Sequence, residues 1–223
     1  MQNNKKRMFF DAVGRSKGQS FVELALIFSI LINLMAGMVE FGNLLNQYIN
    51  VVDGAREGAR FGSNDDPFTT ESDGVTPHYE TFFGQIYTII QGEYDSSGAQ
   101  LSKGAINPIV LDENPDSTDD ILVTFFSITG NKTSGAKGIV RFESAAGSRY
   151  NKATTESKFT NDQILDMVDG FAPSTGVLLV EIFYSYNQIL KLFSFTGIPD
   201  PVNLHAYSIM PLSAAEPTPT PRP

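Results

Sequence analysis

The stretch from Phe21 to Phe41, FVELALIFSILINLMAGMVEF, is almost wholly apolar, and no other part of the chain restricts the fold so strongly. At a helical rise of about 1.5 Å per residue it is about 31 Å long, which matches a hydrocarbon core of about 30 Å. A segment crossing that slab alone must satisfy every backbone N–H and C=O internally, which leaves a helix. Its main interruptions are Glu23 near one end, Asn33 in the middle and Glu40 near the other end. An acidic residue at the centre of such a helix costs about 2.5–3.5 kcal/mol, and less toward the interface. Glu23 at the mouth of the span therefore needs a chemical reason.

Charge is placed unevenly about this run. Lys5, Lys6, Arg7, Arg15 and Lys17 precede it against Asp11 alone, whereas acidic residues outnumber basic ones from Phe61 onward. Basic flanks stay cytoplasmic, so the expected topology is single-pass with the N-terminus inside and the large acidic remainder outside. The acidic balance, −9 overall, argues against nucleic acid as a partner, because phosphate neutralisation needs clustered Lys and Arg. With no cysteine in the chain, neither a disulfide framework nor a thiolate metal site is open to it. A secretory signal peptide would have a shorter apolar region and an A-x-A-like cleavage site. Met35-Ala36-Gly37-Met38-Val39-Glu40 supplies none, so the span is expected to be kept.

Helical spacing continues past the span. Phe41, Leu44, Leu45, Tyr48, Val52, Ala55 and Ala59 recur at intervals of three and four, the mark of one helix face. A single helix of about 40 residues, apolar all round and then amphipathic, accommodates both halves. Its second half needs a surface to pack on, which the C-terminal domain would supply. Gly54, Gly58 and Gly62 each weaken the helix by about 1 kcal/mol relative to alanine. Either they permit close backbone approach or they fray the helix end.

Two strings in this region resemble one family. GQSFVE, residues 18–23, is similar to the processing site of type IV pilin-like precursors, in which a membrane peptidase cuts after glycine. VEFGNLLNQYINVVDGAREGARFGS, residues 39–63, resembles TadE-like proteins of the tight-adherence pilus system. The matching steps are Glu40-Phe41-Gly42 and Ala55-Arg56-Glu57-Gly58-Ala59-Arg60. The resemblance implies cleavage by a prepilin peptidase after Gly18, with Gln19 as the new N-terminus and Glu23 as the fifth mature residue. It also implies that Glu23 pairs with the terminal amine of a neighbouring pilin-like subunit, as a charge in lipid wants an opposite charge beside it. For Arg56, Glu57 and Arg60 a solvated helix face with a local Glu57–Arg60 pair is the plain alternative to an assembly role.

The remainder reads as an extracytoplasmic α+β domain. His78 to Gln91 has helical spacing, with Gly84 inside it. Ile106 to Leu111, Ile121 to Ile128, Gly138 to Glu143 and Val177 to Gln188 are strand-like, and the stretch from Leu204 to Leu212 resembles a closing strand of TadE-like proteins. Thr160 to Gly170 reads as a short helix capped by Thr160, with Gln163 three residues on. The expected architecture is pilin-like, a long helix packed on a small antiparallel sheet of three to five strands. Its parts are a basic cytoplasmic leader (1–18), the transmembrane helix (19–41), its amphipathic continuation (42–62), the outer domain (63–212) and a disordered Pro/Thr tail (213–223).

Chemistry is sparse. Asp112, Asn114, Asp116 and Thr118 alternate as calcium-loop ligands do, but Ser117 replaces the usual glycine and Val123 stands where a bidentate glutamate belongs. A solvated loop between strands is the better reading, and no metal or cofactor is expected. The two histidines, His78 and His205, come without an H-E-x-x-H, G-x-S-x-G or P-loop pattern, so no catalytic residue is assigned and no enzyme is expected. The sequence thus points to a pseudopilin-like membrane component or assembly factor of a tight-adherence pilus or secretion apparatus. Its expected partners are the membrane, a prepilin peptidase and other pilin-like subunits or pilus assembly proteins. The alternative is a permanently anchored binding module, an adhesin or envelope sensor, for which Gly18 and Glu23 would be dispensable.

Overall fold

The computed structural model describes residues 4–68, 79–94, 100–102, 109–112, 114, 117–130, 137–144, 155–168, 174–191 and 199–215. The chain divides into two compact units, one of residues 1–45 with 187–200 and one of residues 46–186 with 201–223. A single helix, α1 (Asn4–Gly62), contributes its first part to one unit and its last part to the other.

In the first unit the helix is long and apolar enough to cross a membrane, and the large side chains from Phe21 to Val39 stand exposed. Two polar residues in the run are satisfied one turn back, which is how polar groups survive in such a helix. The Ser29 hydroxyl donates to the Ala25 carbonyl at 2.8 Å and the Asn33 amide to the Ser29 carbonyl at 2.9 Å. Residues 187–191 and 199–200 belong to this unit as well.

The second unit is α+β and pilin-like: the end of α1 lies on a four-stranded antiparallel sheet. After α2 (Tyr79–Gln91) come a two-stranded ribbon, β1 (Glu93–Tyr94) with β2 (Gln100–Ser102), then β3 (Asp120–Gly130), β4 (Lys137–Glu143), α3 (Asn161–Met167), β5 (Thr175–Tyr186) and β6 (Val202–Pro211). The main sheet runs β4-β3-β5-β6. Phe125 pairs with Phe142 on one side and Leu178 on the other, and Ile182 pairs with Ala206. Because side chains alternate across a strand, Ile121, Val123, Phe125, Leu178, Val180 and Ile182 meet α1 and α2 on one face. Phe126, Ile128 and Leu179 meet Ile164 of α3 on the other. Both faces of β3 are thus buried, as its near-continuous apolar run requires. The α3 cap has the expected form: Thr160 Oγ1 accepts from the Gln163 N–H, and the Gln163 side chain accepts from the Thr160 N–H.

Several details differ from the sequence reading. Residues 109–111 form no strand; the Ile109 N–H donates to the Ile90 carbonyl at 3.3 Å and its side chain turns into the core. Residues 106–108, like His78, lie outside the described residues. The β1–β2 ribbon was not foreseen, and β5 begins at Thr175 and ends before Gln188. Ser213–Ala215 forms a 3-10 turn with Ala215 buried, so the chain packs three residues beyond the expected start of the tail. The core-facing stripe of α1 is Val51, Gly54, Ala55, Gly58, Ala59 and Gly62. Phe41, Leu45 and Tyr48, expected on that face, are exposed. Small residues face inward because α2 and the sheet leave no room for more. A Cβ on Gly58 would stand 2.7 Å from Ile90 Cδ1, and one on Gly62 would stand 2.6 Å from Ile86 Cδ1. The three glycines therefore serve close packing, and helix fraying does not explain them.

Candidate functional site

Gly18, Gln19 and Glu23 lie one after another along α1. A Cβ at Gly18 would meet nothing within 4 Å, so packing within the chain does not require glycine there. Gln19 Nε2 donates to Glu23 Oε1 at 3.1 Å across one helical turn, and both side chains are exposed. Among the described residues no cation reaches the Glu23 carboxylate.

Glu40 behaves differently. It is fully buried within the first unit, and its two oxygens reach the backbone just after β5. Oε1 accepts from the Ile189 N–H at 3.0 Å and Oε2 from the Leu190 N–H at 2.7 Å. This stretch is tied to residues 199–200 by Gln188, whose N–H donates to Asp200 Oδ1 at 3.1 Å and whose amide donates to the Pro199 carbonyl at 3.0 Å. Lys191, at φ 51°, brings its ammonium to 3.8 Å from Asp200 Oδ2. Of the neighbouring motif residues, Phe41 is exposed and Gly42 faces open space. Hydrogen bonds to a charged group contribute about 1.5–3 kcal/mol each. Glu40→Ala should accordingly speed amide hydrogen exchange at Ile189 and Leu190 by more than about tenfold, measured on the full chain in detergent. Unchanged exchange at both amides would defeat the assignment.

The Ala-Arg-Glu-Gly-Ala-Arg segment belongs to the second unit and divides by helix face. Ala55, Gly58 and Ala59 are buried. Arg56 and Arg60 point outward, 3.4 Å from Asp53 Oδ1 and 2.6 Å from Glu57 Oε1 respectively. The hydrogen bond with Glu57, and then its charge, raise the Arg60 pKa above its ordinary value. Beside this face Glu57, Arg60, Phe61, Asn64, Asp65 and Gln85 line an open cleft of about 400 Å³.

The most elaborate polar cluster was not foreseen. Glu181, fully buried in the central strand β5, accepts from the Ser157 hydroxyl and from the Lys158 N–H at 3.0 Å. His205 Nε2 on β6 lies 3.1 Å from the same carboxylate, and its ring stacks on Phe183 at 4.7 Å. The sequence signal was a glutamate inside a run that otherwise reads as continuous core. A serine nucleophile needs the imidazole beside its hydroxyl; here the carboxylate stands between the two, so the cluster braces residues 157–158 to the sheet. Asp119 acts similarly, accepting from the Ser185 N–H at 2.6 Å and the Asp112 N–H at 3.0 Å. Its neighbour Tyr184 has a raised pKa, chiefly through burial and then through the Asp119 charge, against a hydrogen bond with Gln47. In the loop weighed for calcium, Asp112 Oδ1 accepts the Asn114 N–H at 3.0 Å, while residues 113, 115 and 116 lie outside the described residues.

Residues 18–60 match the family of TadE-like proteins. The matched segment opens on Gly18 and closes on Arg60, so it holds residues 18–23, the apolar run and both the Glu40-Phe41-Gly42 and Ala55–Arg60 steps. No curated protein and no solved structure is significantly similar to the chain.

Proposed function

We propose that this protein is a pseudopilin-like component or assembly factor of a tight-adherence pilus or related secretion apparatus, processed by a prepilin peptidase after Gly18. Its role is structural and not catalytic. The observation that carries the reading is the TadE-like match over residues 18–60, which begins at the proposed cut site. The geometry supports it in two ways. Among the described residues a Cβ at Gly18 meets nothing, and glycine there lowers the cost of unwinding the helix for a peptidase by about 1 kcal/mol relative to alanine. Glu23 is exposed, with Gln19 as its hydrogen-bonding neighbour, and in this reading it pairs with the amine that cleavage creates on an adjacent subunit. The basic flank keeps the leader cytoplasmic, and the sheet-containing unit faces outward.

Co-expression with the cognate prepilin peptidase should yield a mature chain beginning at Gln19, read by intact-mass spectrometry. Glu23→Ala should still be cut but fail to enter the pilus assembly. An N-terminus that stays intact in the mature cellular protein would sink the processing claim. Full function in Glu23→Ala would favour a permanently anchored binding module instead.

A further inference from the structure

Glu40 holds Ile189 and Leu190 at a particular height on the helix, one residue short of the end of the apolar run. Both side chains are directed away from the protein: Ile189 is 64% exposed and Leu190 44% exposed. On the helix itself, within the same unit, Met38, Val39 and Phe41 are exposed as well. These side chains form an apolar collar that continues the surface of the membrane span. We propose that the loop at Ile189 and Leu190 dips into the boundary between acyl chains and headgroups of the outer leaflet, with Glu40 holding it there. The occupant of the collar is lipid.

Three observations support lipid over other occupants. The collar is continuous with a helix long and apolar enough to cross a membrane, and it lies at the end of a run whose length matches the hydrocarbon thickness. Irregular backbone near hydrocarbon is costly because its N–H groups lose water, and the N–H groups of Ile189 and Leu190 are both taken up by Glu40. Directly after them comes Lys191, whose side chain is exposed and near Asp200. A long basic side chain at this height reaches outward to the phosphates while its stem stays apolar. Glu40 thereby has a purpose that a solvated helix glutamate would lack: it lets a loop of the sheet-bearing chain rest at membrane depth without exposing bare backbone.

The chain has no cysteine, so single-cysteine variants of the full protein can carry an environment-sensitive fluorophore. In phosphatidylcholine–phosphatidylglycerol nanodiscs holding one copy each, the Ile189→Cys label should be blue-shifted. Lipids with a doxyl group near their carbonyls should quench it several-fold. The Ile32→Cys label should be quenched best by doxyl groups deeper in the chains, and the Val140→Cys label on β4 by neither. Quenching at Ile32→Cys without quenching at Ile189→Cys would overturn the loop proposal and leave the span intact. Loss of quenching at both would remove the membrane reading on which the proposal rests. A label that is blue-shifted but not lipid-quenched would mean that protein covers the loop, and would overturn the proposal. Adding Glu40→Ala to Ile189→Cys should reduce the quenching several-fold; unchanged quenching would overturn the role of Glu40.

Discussion

Phe125→Ala should lower the unfolding free energy of the sheet-bearing unit by about 3–5 kcal/mol, in the range for a fully buried phenylalanine. The side chain is the hub of an aromatic cluster that joins α2 to the sheet. It stacks on Phe142 at 4.7 Å and 13°, meets Phe68 and Phe82 edge-on at 5.5 and 5.8 Å, and lies 6.0 Å from Phe83 and Tyr79. Removing the ring costs its transfer free energy, leaves a cavity and strips several favourable aromatic geometries at once. Urea unfolding of the full chain, followed by tyrosine fluorescence since there is no tryptophan, measures the loss. Val140→Ala on the exposed edge strand β4 serves as the control. A loss below about 1 kcal/mol at Phe125 would show that the cluster closes over the gap, contrary to the packing described here.

Gly58→Leu should be nearly as damaging, at about 3 kcal/mol, the upper part of the usual range for overpacking. Even the first added carbon would lie 2.7 and 2.8 Å from the Ile90 side chain and 3.3 Å from Ile86. Relief requires α1 to move off α2 and the sheet, and Ala55 and Ala59 on the same stripe would lose their contacts too. Arg56→Ala and Arg60→Ala, on the opposite face, should leave the unfolding midpoint unmoved, because exposed i,i+3 pairs contribute little. The contrast separates two roles in one motif. If the arginine variants fold normally yet fail to support pilus assembly, that face is an interaction surface. If Gly58→Leu unfolds no more easily than the wild type, the helix does not pack as tightly as its geometry states.

The parts of this protein that could be read in advance are those governed by short-range chemistry. The span from Phe21 to Phe41 is legible because lipid imposes a length and an apolar composition on any helix that crosses it. The α3 cap is legible because Thr160 and Gln163 satisfy each other within one turn. Strands β3 and β4 follow from composition and turn residues, and Gly18 with Glu23 stands out against the apolar background. Misreadings came where neighbours distant in sequence decide. Phe41, Leu45 and Tyr48 share the period of Ala55 and Ala59, yet of these only the alanines are buried, and Gly58 and Gly62 join them because Ile86, Ile90 and Leu178 on other elements crowd that part of the helix. Ile109 looked like a strand residue and instead fills space beside Gly54.

Glu40 shows the division most clearly. That a carboxylate stands at the C-terminal end of the apolar run can be read from the chain alone, as can the demand that it be satisfied there. Its partners, the N–H groups of Ile189 and Leu190, lie about 150 positions away and have no side-chain signature, since every residue but proline carries that donor. Glu181 is the same case inside the sheet: its strand was legible, but its neighbours Ser157, Lys158 and His205 meet it only because β6 pairs with β5 and the preceding loop folds over both. Local periodicity and composition determined the apolar helix and most elements. Which face of the helix is buried, and what holds each lone carboxylate, depended on tertiary packing, because those contacts are made with backbone and small side chains that no sequence pattern marks.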